Sequence, residues 1–293
     1  MIWIPITLSG AMLQVARNAM QRSLFGAAGP WGATLARFLF GLPFALIFFA
    51  AVAFTPGAQP HLTTAFWIAA CLAALTQVLA TASLLQAMHH SSFAVATAVQ
   101  QSSLPLAAML GALLFHDQLS AMAWTGVALA TLGLAALCWP KRVGAGAGSG
   151  AIWGLASGLS FAFALNFVRN TSHAFDPAHP IFAAAGSLVV VQTLQSIGLI
   201  AWMAARDRAG LRAVLTGWRS AFGAGFFGAA ASACWFSALA LAPAGLVRAV
   251  GVVEMPAAAV AGRRLFGERL TLKQILGGAI VAVGVIVAAL GAR

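Results

Sequence analysis

Ten apolar stretches of about 20 residues alternate with short polar segments along the whole chain. Each stretch is long enough to cross about 30 Å of hydrocarbon as an α-helix. The alternating ten-residue pattern of membrane β-strands does not occur. The predicted spans cover about residues 2–22, 30–54, 64–88, 92–114, 120–139, 151–170, 178–204, 217–241, 244–265 and 271–291. The pattern therefore predicts an all-α polytopic membrane protein with ten transmembrane helices.

The fourth and fifth spans recur about 151 residues later as the ninth and tenth spans. Pro105–Gly133 and Pro256–Gly284 align without a gap, and ten of the 29 aligned positions are identical. The identical pairs include Pro105/Pro256, Gly111/Gly262, Phe115/Phe266, Leu119/Leu270, Gly126/Gly277 and Gly133/Gly284. A repeat of this size predicts two equivalent halves. We assign residues 1–140 to a first five-helix repeat, 141–150 to a Gly-rich linker and 151–293 to a second five-helix repeat.

The two repeats are predicted to lie in opposite orientations across the membrane, because five helices per repeat is an odd number. The charges of equivalent loops test this independently. The second loop of the first repeat, Thr55–Thr64, has no Lys or Arg, whereas its counterpart carries Arg206, Arg208, Arg212 and Arg219. The fourth loop of the first repeat holds His116 and Asp117, whereas its counterpart holds Arg263, Arg264, Arg269 and Lys273. Opposite charge in equivalent loops is what inverted repeats require.

The net charge of +11 is confined mostly to short loops on one predicted face of the protein, while 61% of the residues are hydrophobic and 7% are charged. Charge in that position orients a protein against anionic lipid, so we expect a lipid bilayer rather than nucleic acid as the partner. The positive-inside rule places this basic face in the cytoplasm. We therefore predict a bacterial inner-membrane protein with both termini on the non-cytoplasmic side.

The sequence gives no sign of enzyme chemistry. Cys71, Cys138 and Cys234 are far apart inside spans, and the His89-His90 pair has no carboxylate or cysteine beside it. No phosphate-binding loop, dinucleotide fingerprint or nucleophile elbow occurs. We expect no cofactor and no metal site, and no catalytic residue is assigned.

Polar side chains form one stripe on the first span and an equivalent stripe on the sixth. Their members are Gln14, Arg17, Asn18 and Gln21 on the first span, and Asn166, Arg169, Asn170 and His173 on the sixth. The spacing i, i+3, i+4, i+7 puts each set on one helix face. A polar stripe facing lipid is costly, so both should face the bundle interior. Two interpretations stay open at this point: a shared substrate cavity, or amides that bond neighbouring helices.

Glu254 is the only acidic residue deep inside a predicted span, two residues before Pro256. Desolvation raises the pKa of a carboxyl group and a nearby cation lowers it, so Glu254 is a candidate for proton coupling. The alternative is a structural ion pair, with Arg37 or Arg248 as the cation. Trp235, two turns inside the eighth span, is either packing bulk or an aromatic cavity wall. Gln100 precedes Pro105, where a kink would open backbone groups to a ligand. The predicted substrate-binding residues are Gln14, Arg17, Arg37, Gln100, Asn166, Trp235 and Arg248, with Glu254 for proton coupling.

These motifs resemble the drug/metabolite transporter (DMT) superfamily, in particular its ten-helix EamA-type members. The family pattern in each half is a Pro in the fourth helix, a Gly-Glu-Arg-Leu-like turn and a Gly-spaced fifth helix. Here it reads Pro256, Gly267-Glu268-Arg269-Leu270 and Gly277, with a weaker copy at Pro105, His116-Asp117-Gln118-Leu119 and Gly126. The family's Arg-Phe in the second helix is matched by Arg37-Phe38, whereas the second half has Ser187 there.

The resemblance implies a monomer with a central cavity between two inverted five-helix units, lined by helices one, three, four, six, eight and nine. It also implies secondary transport of a small molecule: export of a metabolite, amino acid or drug by alternating access, with proton coupling or exchange. The alternatives are a sugar-phosphate or nucleotide-sugar exchanger and a lipid-carrier flippase. Ten-helix members are expected to keep both termini in the cytoplasm, and here the charge bias predicts the opposite.

Overall fold

The computed structural model describes residues 2–138, 147–266 and 272–291, and these residues form thirteen α-helices and no strand. The helices are α1 (Trp3–Leu39), α2 (Leu42–Val52), α3 (Thr64–His90), α4 (Phe93–Gln100), α5 (Ser103–Leu114), α6 (Ala121–Cys138), α7 (Ala147–Phe175), α8 (Pro180–Arg206), α9 (Arg208–Thr216), α10 (Trp218–Leu241), α11 (Ala244–Gly251), α12 (Glu254–Phe266) and α13 (Leu272–Leu290). The all-α prediction is confirmed.

From the third onward, each predicted span coincides, within the described residues, with one helix or with two consecutive helices. The first two spans meet inside α1, where Gly29 is in the left-handed region (φ 66°) directly before Pro30. Five segments are long and apolar enough to cross a membrane by themselves: Ala28–Val52, Thr64–His90, Gly148–Phe175, Pro180–Arg206 and Ala221–Leu241. The count of ten crossings stays a prediction.

The basic loop before the eighth span contains the short helix α9, which the apolar pattern did not predict. Asp207 caps it, because its Oδ1 atom accepts a hydrogen bond from the backbone N–H of Gly210 at 2.9 Å. Arg208 and Arg212 lie on this helix among apolar residues. Such a helix is suited to the interface between lipid and water.

The helices of the two halves pack against each other as a pseudo-two-fold arrangement requires. The first helix of each half pairs with the third spanning helix of the other, so α1 packs along α10 and α7 packs along α3. The last helices, α6 and α13, cross each other. At this crossing Gly133 meets Val281, and the repeat-related Gly284 meets Ala130. The small residues at these described positions therefore let the two helices approach closely.

The fourth and ninth spans are both broken in the middle, at equivalent places. α4 ends at Gln100 and α5 begins at Ser103, whereas α11 ends at Gly251 and α12 begins at Glu254. Each new helix carries a proline in its first turn, Pro105 or Pro256, where the missing N–H costs no helical hydrogen bond. The breaks bring polar residues of both halves into the bundle interior.

On one face of the bundle, the loops after α2 and after α7 are joined through the buried Asp176. One carboxylate oxygen, Oδ2, accepts hydrogen bonds from the backbone N–H of Gln59 (3.1 Å) and from Nδ1 of His179 (2.9 Å). Burial would raise the pKa of this carboxyl group, but the hydrogen bonds from Gln59, His179 and Ala178 outweigh it and lower the pKa below 3.8. This contact ties the first half to the second.

Candidate functional site

A buried carboxylate stands at the break of the ninth span. Glu254 is the first residue of α12 and is fully buried. One carboxylate oxygen, Oε2, accepts a hydrogen bond from Nε2 of Gln14 on α1. The other, Oε1, accepts from Nε2 of Gln101 and from Nη2 of Arg248, the latter at 3.1 Å. The carboxylate is thus held by three donors from both halves of the chain.

Arg248 is the cation that pairs with Glu254, and it is also fully buried. Its Nη2 atom also donates to Oε1 of Gln101 at 2.8 Å, and its Nε atom donates to Oγ of Ser103 at 2.7 Å. The guanidinium carbon lies 5.0 Å from the ring centre of Phe161 and 5.9 Å from that of Trp235. Two aromatic faces and three polar partners therefore surround this charge.

The network offsets part of the cost of burying two charges, because each charged group has its counter-ion and further hydrogen bonds. Three buried polar atoms beside it have no partner within the described protein: Arg248 Nη1, Trp235 Nε1 and Gln14 Oε1. An unpartnered buried polar atom costs about 1–3 kcal/mol, so such atoms call for a bound partner.

Trp235 was open to two interpretations, packing bulk or a cavity wall. It is buried, packs edge-on to Phe161 at 6.3 Å and lies against Gly251, where a Cβ would collide with its ring. Trp235 thus packs against the helix break, and the centre of its ring lies 5.9 Å from the guanidinium carbon of Arg248. The two interpretations are compatible in this geometry.

The remaining stripe residues of the first span continue from Gln14 along α1. Arg17 is buried, donates twice to Oδ1 of Asn18 and lies within electrostatic range of Glu254. Gln21 donates to the backbone carbonyl of Ala33, which joins the first span to the second. Of the four stripe residues, only the two nearest the N-terminus of α1, Gln14 and Arg17, therefore lie near the carboxylate.

Arg37, a candidate partner of Glu254, lies elsewhere in the bundle. Its Nη1 and Nη2 atoms donate to the hydroxyls of Thr81 (2.7 Å) and Ser232 (3.2 Å). Arg37 is buried and interacts electrostatically with Arg17. Its hydrogen bonds within the described residues go to hydroxyls of α3 and α10, so the ion pair of Glu254 is made with Arg248 instead.

Gln100 stands next to the network and faces the second half of the chain. Its Nε2 atom donates to Oγ of Ser157 at 3.2 Å, and Ser157 in turn donates to the backbone carbonyl of Ala80. The residue that contacts Glu254 is its neighbour, Gln101. A turn of the chain between α4 and α5 decides which of the two glutamines enters the network.

The stripe on the sixth span lines a pocket to which the described residues of the first stripe do not contribute. Asn166, Arg169, Asn170 and His173 surround a cavity of about 180 Å³ together with Phe115 and Asp117. The Nδ2 atom of Asn166 donates to the backbone carbonyls of Ala107 and Ala162 rather than to the Glu254 network. Because the halves are inverted, equivalent stripes lie toward opposite ends of the bundle.

Three residues of the network were not among the predicted site residues: Gln101, Ser103 and Phe161. The glutamine pair before Pro105 marked the region of Gln101, and Ser103 aligns with Glu254 in the repeat. Phe161 gives no sequence signal, because a phenylalanine inside an apolar helix is ordinary.

Comparison with known proteins agrees with this architecture. The model of the EamA-like transporter family matches the chain twice, over residues 1–139 and 148–290. Among the solved structures, 28 chains match. One crystal structure of a protein has a TM-score of 0.64 at 17% sequence identity and covers 99% of this chain and 97% of its own. That identity shows the fold alone. A comparison with curated proteins found no match.

Two consecutive family matches cover both halves of the chain, and the linker between them is the only internal segment left out. The inverted halves, the broken helices and the polar network between them are features of a multi-pass membrane transporter. The chain belongs to the EamA-like transporter family, within the DMT superfamily.

Proposed function

We propose that the chain is a secondary transporter that exports a small zwitterionic metabolite in exchange for protons by alternating access of its two halves. The observation that carries this proposal is the Arg248–Glu254 pair at the helix breaks. The pair is the most deeply buried charge on the described part of the chain. It belongs to the second half, whereas its hydrogen-bonding partners Gln14, Gln101 and Ser103 belong to the first. Intramembrane ion pairs at the interface of inverted repeats are typical of substrate and proton pathways.

The chemistry of exchange follows from the two charges. The ammonium group of a zwitterion would take the place of Arg248 at the Glu254 carboxylate, and its carboxylate would bind the released guanidinium. A proton on Glu254 removes the negative charge that holds the ammonium group. Proton and ligand therefore compete for one carboxylate, which is the condition for exchange in opposite directions.

The hydrogen bonds at the Glu254 carboxylate also link ligand binding to movement of the two halves. Gln14 on α1 and Gln101 on α4–α5 belong to the first half, whereas Glu254 and Arg248 belong to the second. Changing the occupant of the carboxylate changes the bonds between the halves. A ligand shifts a conformational equilibrium only by its differential affinity for the two states, and these bonds supply such a difference.

The proposal is tested in two steps. First, the purified protein is screened by thermal shift with amino acids, sugar phosphates and cationic drugs, since binding to the native state raises the melting temperature. We expect the amino acids to stabilise it. Second, wild type and Glu254→Gln are reconstituted into liposomes, and uptake of the stabilising amino acid is measured with a proton gradient imposed across the membrane.

We expect proton-driven uptake in the wild type and none in Glu254→Gln. Asp207→Asn is the matched control, because it makes the same carboxylate-to-amide change at the cap of α9, where asparagine also caps well. Unchanged proton-driven uptake in Glu254→Gln would refute Glu254 as the coupling site. Stabilisation by sugar phosphates alone would favour an exchanger of phosphorylated substrates.

We also propose that the basic face is cytoplasmic and that both termini lie outside the cytoplasm of a bacterial inner membrane. The support is the concentration of Arg and Lys in loops of one face. An alkaline phosphatase fused after residue 293 should be active in the periplasm. An inactive phosphatase, together with an active cytoplasmic reporter at the same position, would reverse the orientation.

A further inference from the structure

An apolar groove lies between α1, α3 and α8, and no residue of the Glu254 network lines it. Its volume is about 460 Å³, and it extends from Cys71 to Leu79 on α3 and from Leu194 to Trp202 on α8. Each stretch is about 12 Å long, because an α-helix rises about 1.5 Å per residue. One leaflet supplies half of a hydrocarbon thickness of about 30 Å, so the groove spans most of the depth of one leaflet.

The groove is open to the outside of the bundle. Leu75, Leu79 and Trp202 of its lining are exposed, whereas Ala74 lies buried beneath them. Gly198 also lines the groove, and a Cβ added there would meet nothing within 4 Å. The space above Gly198 is therefore unfilled by protein atoms and accessible from the lipid side.

The two long sides of the groove run in the same direction. Phe175 contacts the first turns of both helices, at Phe66 of α3 and at Phe182 of α8. In the middle of the helices, Nε2 of Gln195 donates to Oε1 of Gln77 at 2.7 Å. Both sides of the groove therefore end at the same level of the bundle.

The end of the groove at Trp202 carries aromatic and basic side chains. The ring centres of Trp31 and Trp202 are 4.8 Å apart, and tryptophan is enriched at the interface between lipid and water. Arg206 lies one turn after Trp202 in the last turn of α8 and is exposed. Within the described part of the chain, no acidic side chain forms an ion pair with Arg206. The apolar groove thus ends beside an accessible positive charge.

The short helix α9 adds positive charge at this end. It lies against α1, because the position that a Cβ would take on Gly32 is 3.0 Å from Cγ2 of Val214. Arg208 is exposed, and its Nε atom donates to a backbone carbonyl in the last turn of α8 at 2.9 Å. Arg212 follows one turn later and is also exposed. Asp207, the only acid between residues 206 and 219, is engaged in capping α9, so positive charge dominates.

From this geometry we propose that the groove binds one anionic phospholipid of the bilayer. An acyl chain lies between α3 and α8, where it replaces contacts that the protein does not make itself. The phosphate lies at the Trp202 end, where the guanidinium groups of Arg206 and Arg208 donate to its oxygens. Basic side chains near the membrane surface favour anionic over zwitterionic head groups. The inference does not depend on the transported substrate or on Glu254.

The test measures lipid binding to the full-length, delipidated protein in detergent by native mass spectrometry. The protein is titrated with dioleoylphosphatidylglycerol or with dioleoylphosphatidylcholine, which have the same acyl chains and differ in head-group charge. We expect the first phosphatidylglycerol to bind at least about fivefold more tightly than the first phosphatidylcholine. Arg206→Gln should weaken phosphatidylglycerol about fivefold and phosphatidylcholine less. Arg219→Gln is the matched control, because it removes the same charge from α10, which supplies none of the described lining residues, and its effect should be much smaller.

A second variant tests the acyl chain separately from the head group. Gly198→Phe fills the groove and should weaken both lipids about tenfold, since it displaces about two methylene groups of the chain. Gly148→Phe is its control, because a Cβ there also meets nothing within 4 Å and Gly148 lies at the start of α7, outside the groove. Free glycerol phosphate, which has no acyl chain, should not displace the lipid.

The proposal is wrong if the wild type binds both lipids equally, or if Gly198→Phe binds them as tightly as Gly148→Phe does. Displacement by glycerol phosphate would also overturn it, because the site would then bind phosphate without the chain. A lipid-free dimer that becomes a monomer in Gly198→Phe would assign the groove to a second copy of this chain instead. Should Gly198→Phe fail to fold, the exposed Arg206→Gln still decides, since unchanged phosphatidylglycerol affinity in that variant refutes the site.

Discussion

The two broken helices stand at equivalent places in the two halves, yet they carry different chemistry. At the break of the ninth span stand Arg248 and Glu254, whereas the aligned positions in the fourth span hold Thr97 and Ser103. Both breaks are followed by a proline in the first turn of the next helix. The two breaks share an interrupted helix followed by a proline, and they differ in that only the break of the ninth span carries charged side chains. The broken backbone is thus common to both halves, whereas the charges of the candidate site lie in one half only.

The largest expected effect comes from substituting Arg248, because its equivalent in the first half, Thr97, carries no charge. Arg248→Met should destabilise the protein by about 3–5 kcal/mol, because it leaves the buried carboxylate of Glu254 without its counter-ion. The pseudo-equivalent Thr97→Val should change stability by less than about 1 kcal/mol, since the Thr97 hydroxyl is buried without a partner. Chemical unfolding in detergent measures both changes.

A double variant sharpens this test. Arg248→Met combined with Glu254→Gln removes both charges and should recover much of the lost stability. Equal losses of unfolding free energy in Arg248→Met and Thr97→Val would mean that the two breaks contribute equally to stability. That result would contradict an energetic difference between them.

The next effect concerns the crossing of α6 and α13, where the symmetry is retained. Gly133→Val and Gly284→Val should each destabilise by about 1–3 kcal/mol, because the added atoms meet Val281 and Ala130 at closely packed helix faces. The two losses should be similar. Gly198→Val is the control on an open helix face, and its loss should be smaller. Thermal unfolding that shows one glycine as dispensable would contradict a symmetric crossing.

A smaller effect is expected where the two repeats differ in one turn residue. His116 is exposed and left-handed, a conformation that costs an L-residue about 1–2 kcal/mol, and the aligned residue of the second repeat is Gly267. His116→Gly should therefore stabilise the protein by about 1 kcal/mol. His116→Ala is the control and should give no such gain. A lower melting temperature for His116→Gly would show that the imidazole makes a stabilising contact.

The smallest expected effect is at the loop contact that joins the two halves. The folded pKa of Asp176 lies below 3.8, so its contribution is present above that value and is lost as the pH falls through the folded pKa. Asp176→Asn should lower stability at pH 6–8 by less than about 1 kcal/mol. The difference from wild type should shrink toward pH 3. Melting curves with a constant difference from pH 8 to pH 3 would contradict this assignment.

The regions of the fold that were predictable share one property, which is that their signal is local. Span length follows from hydropathy, and the close approach at Gly133 and Gly284 follows from small residues at helical spacing. The break near Gln100 was indicated by Pro105 alone. The helix α9 was missed, because its short amphipathic stretch lies between two long apolar runs and carries little hydropathy signal.

The site was only partly predictable, because its contacts depend on how distant helices pack. Gln14 and Glu254 are 240 residues apart, and nothing in either segment identifies the other as its partner. The same reason separates Arg37 from the carboxylate and puts Asn166 in a different pocket. Side chains with equivalent sequence positions lie at opposite ends of the bundle once the halves are inverted.

The sequence by itself determined the membrane environment, the duplication, the opposite orientation of the halves and the proline-marked breaks. These properties arise from hydrophobicity, charge placement and backbone restriction, which act over one helix or one loop. Only the tertiary structure decided that Arg248 is the counter-ion of Glu254, that Gln101 joins them, and that Asn166 lines a separate pocket together with Asp117. Those contacts join helices from distant parts of the chain, and the packing of helices against each other selects them.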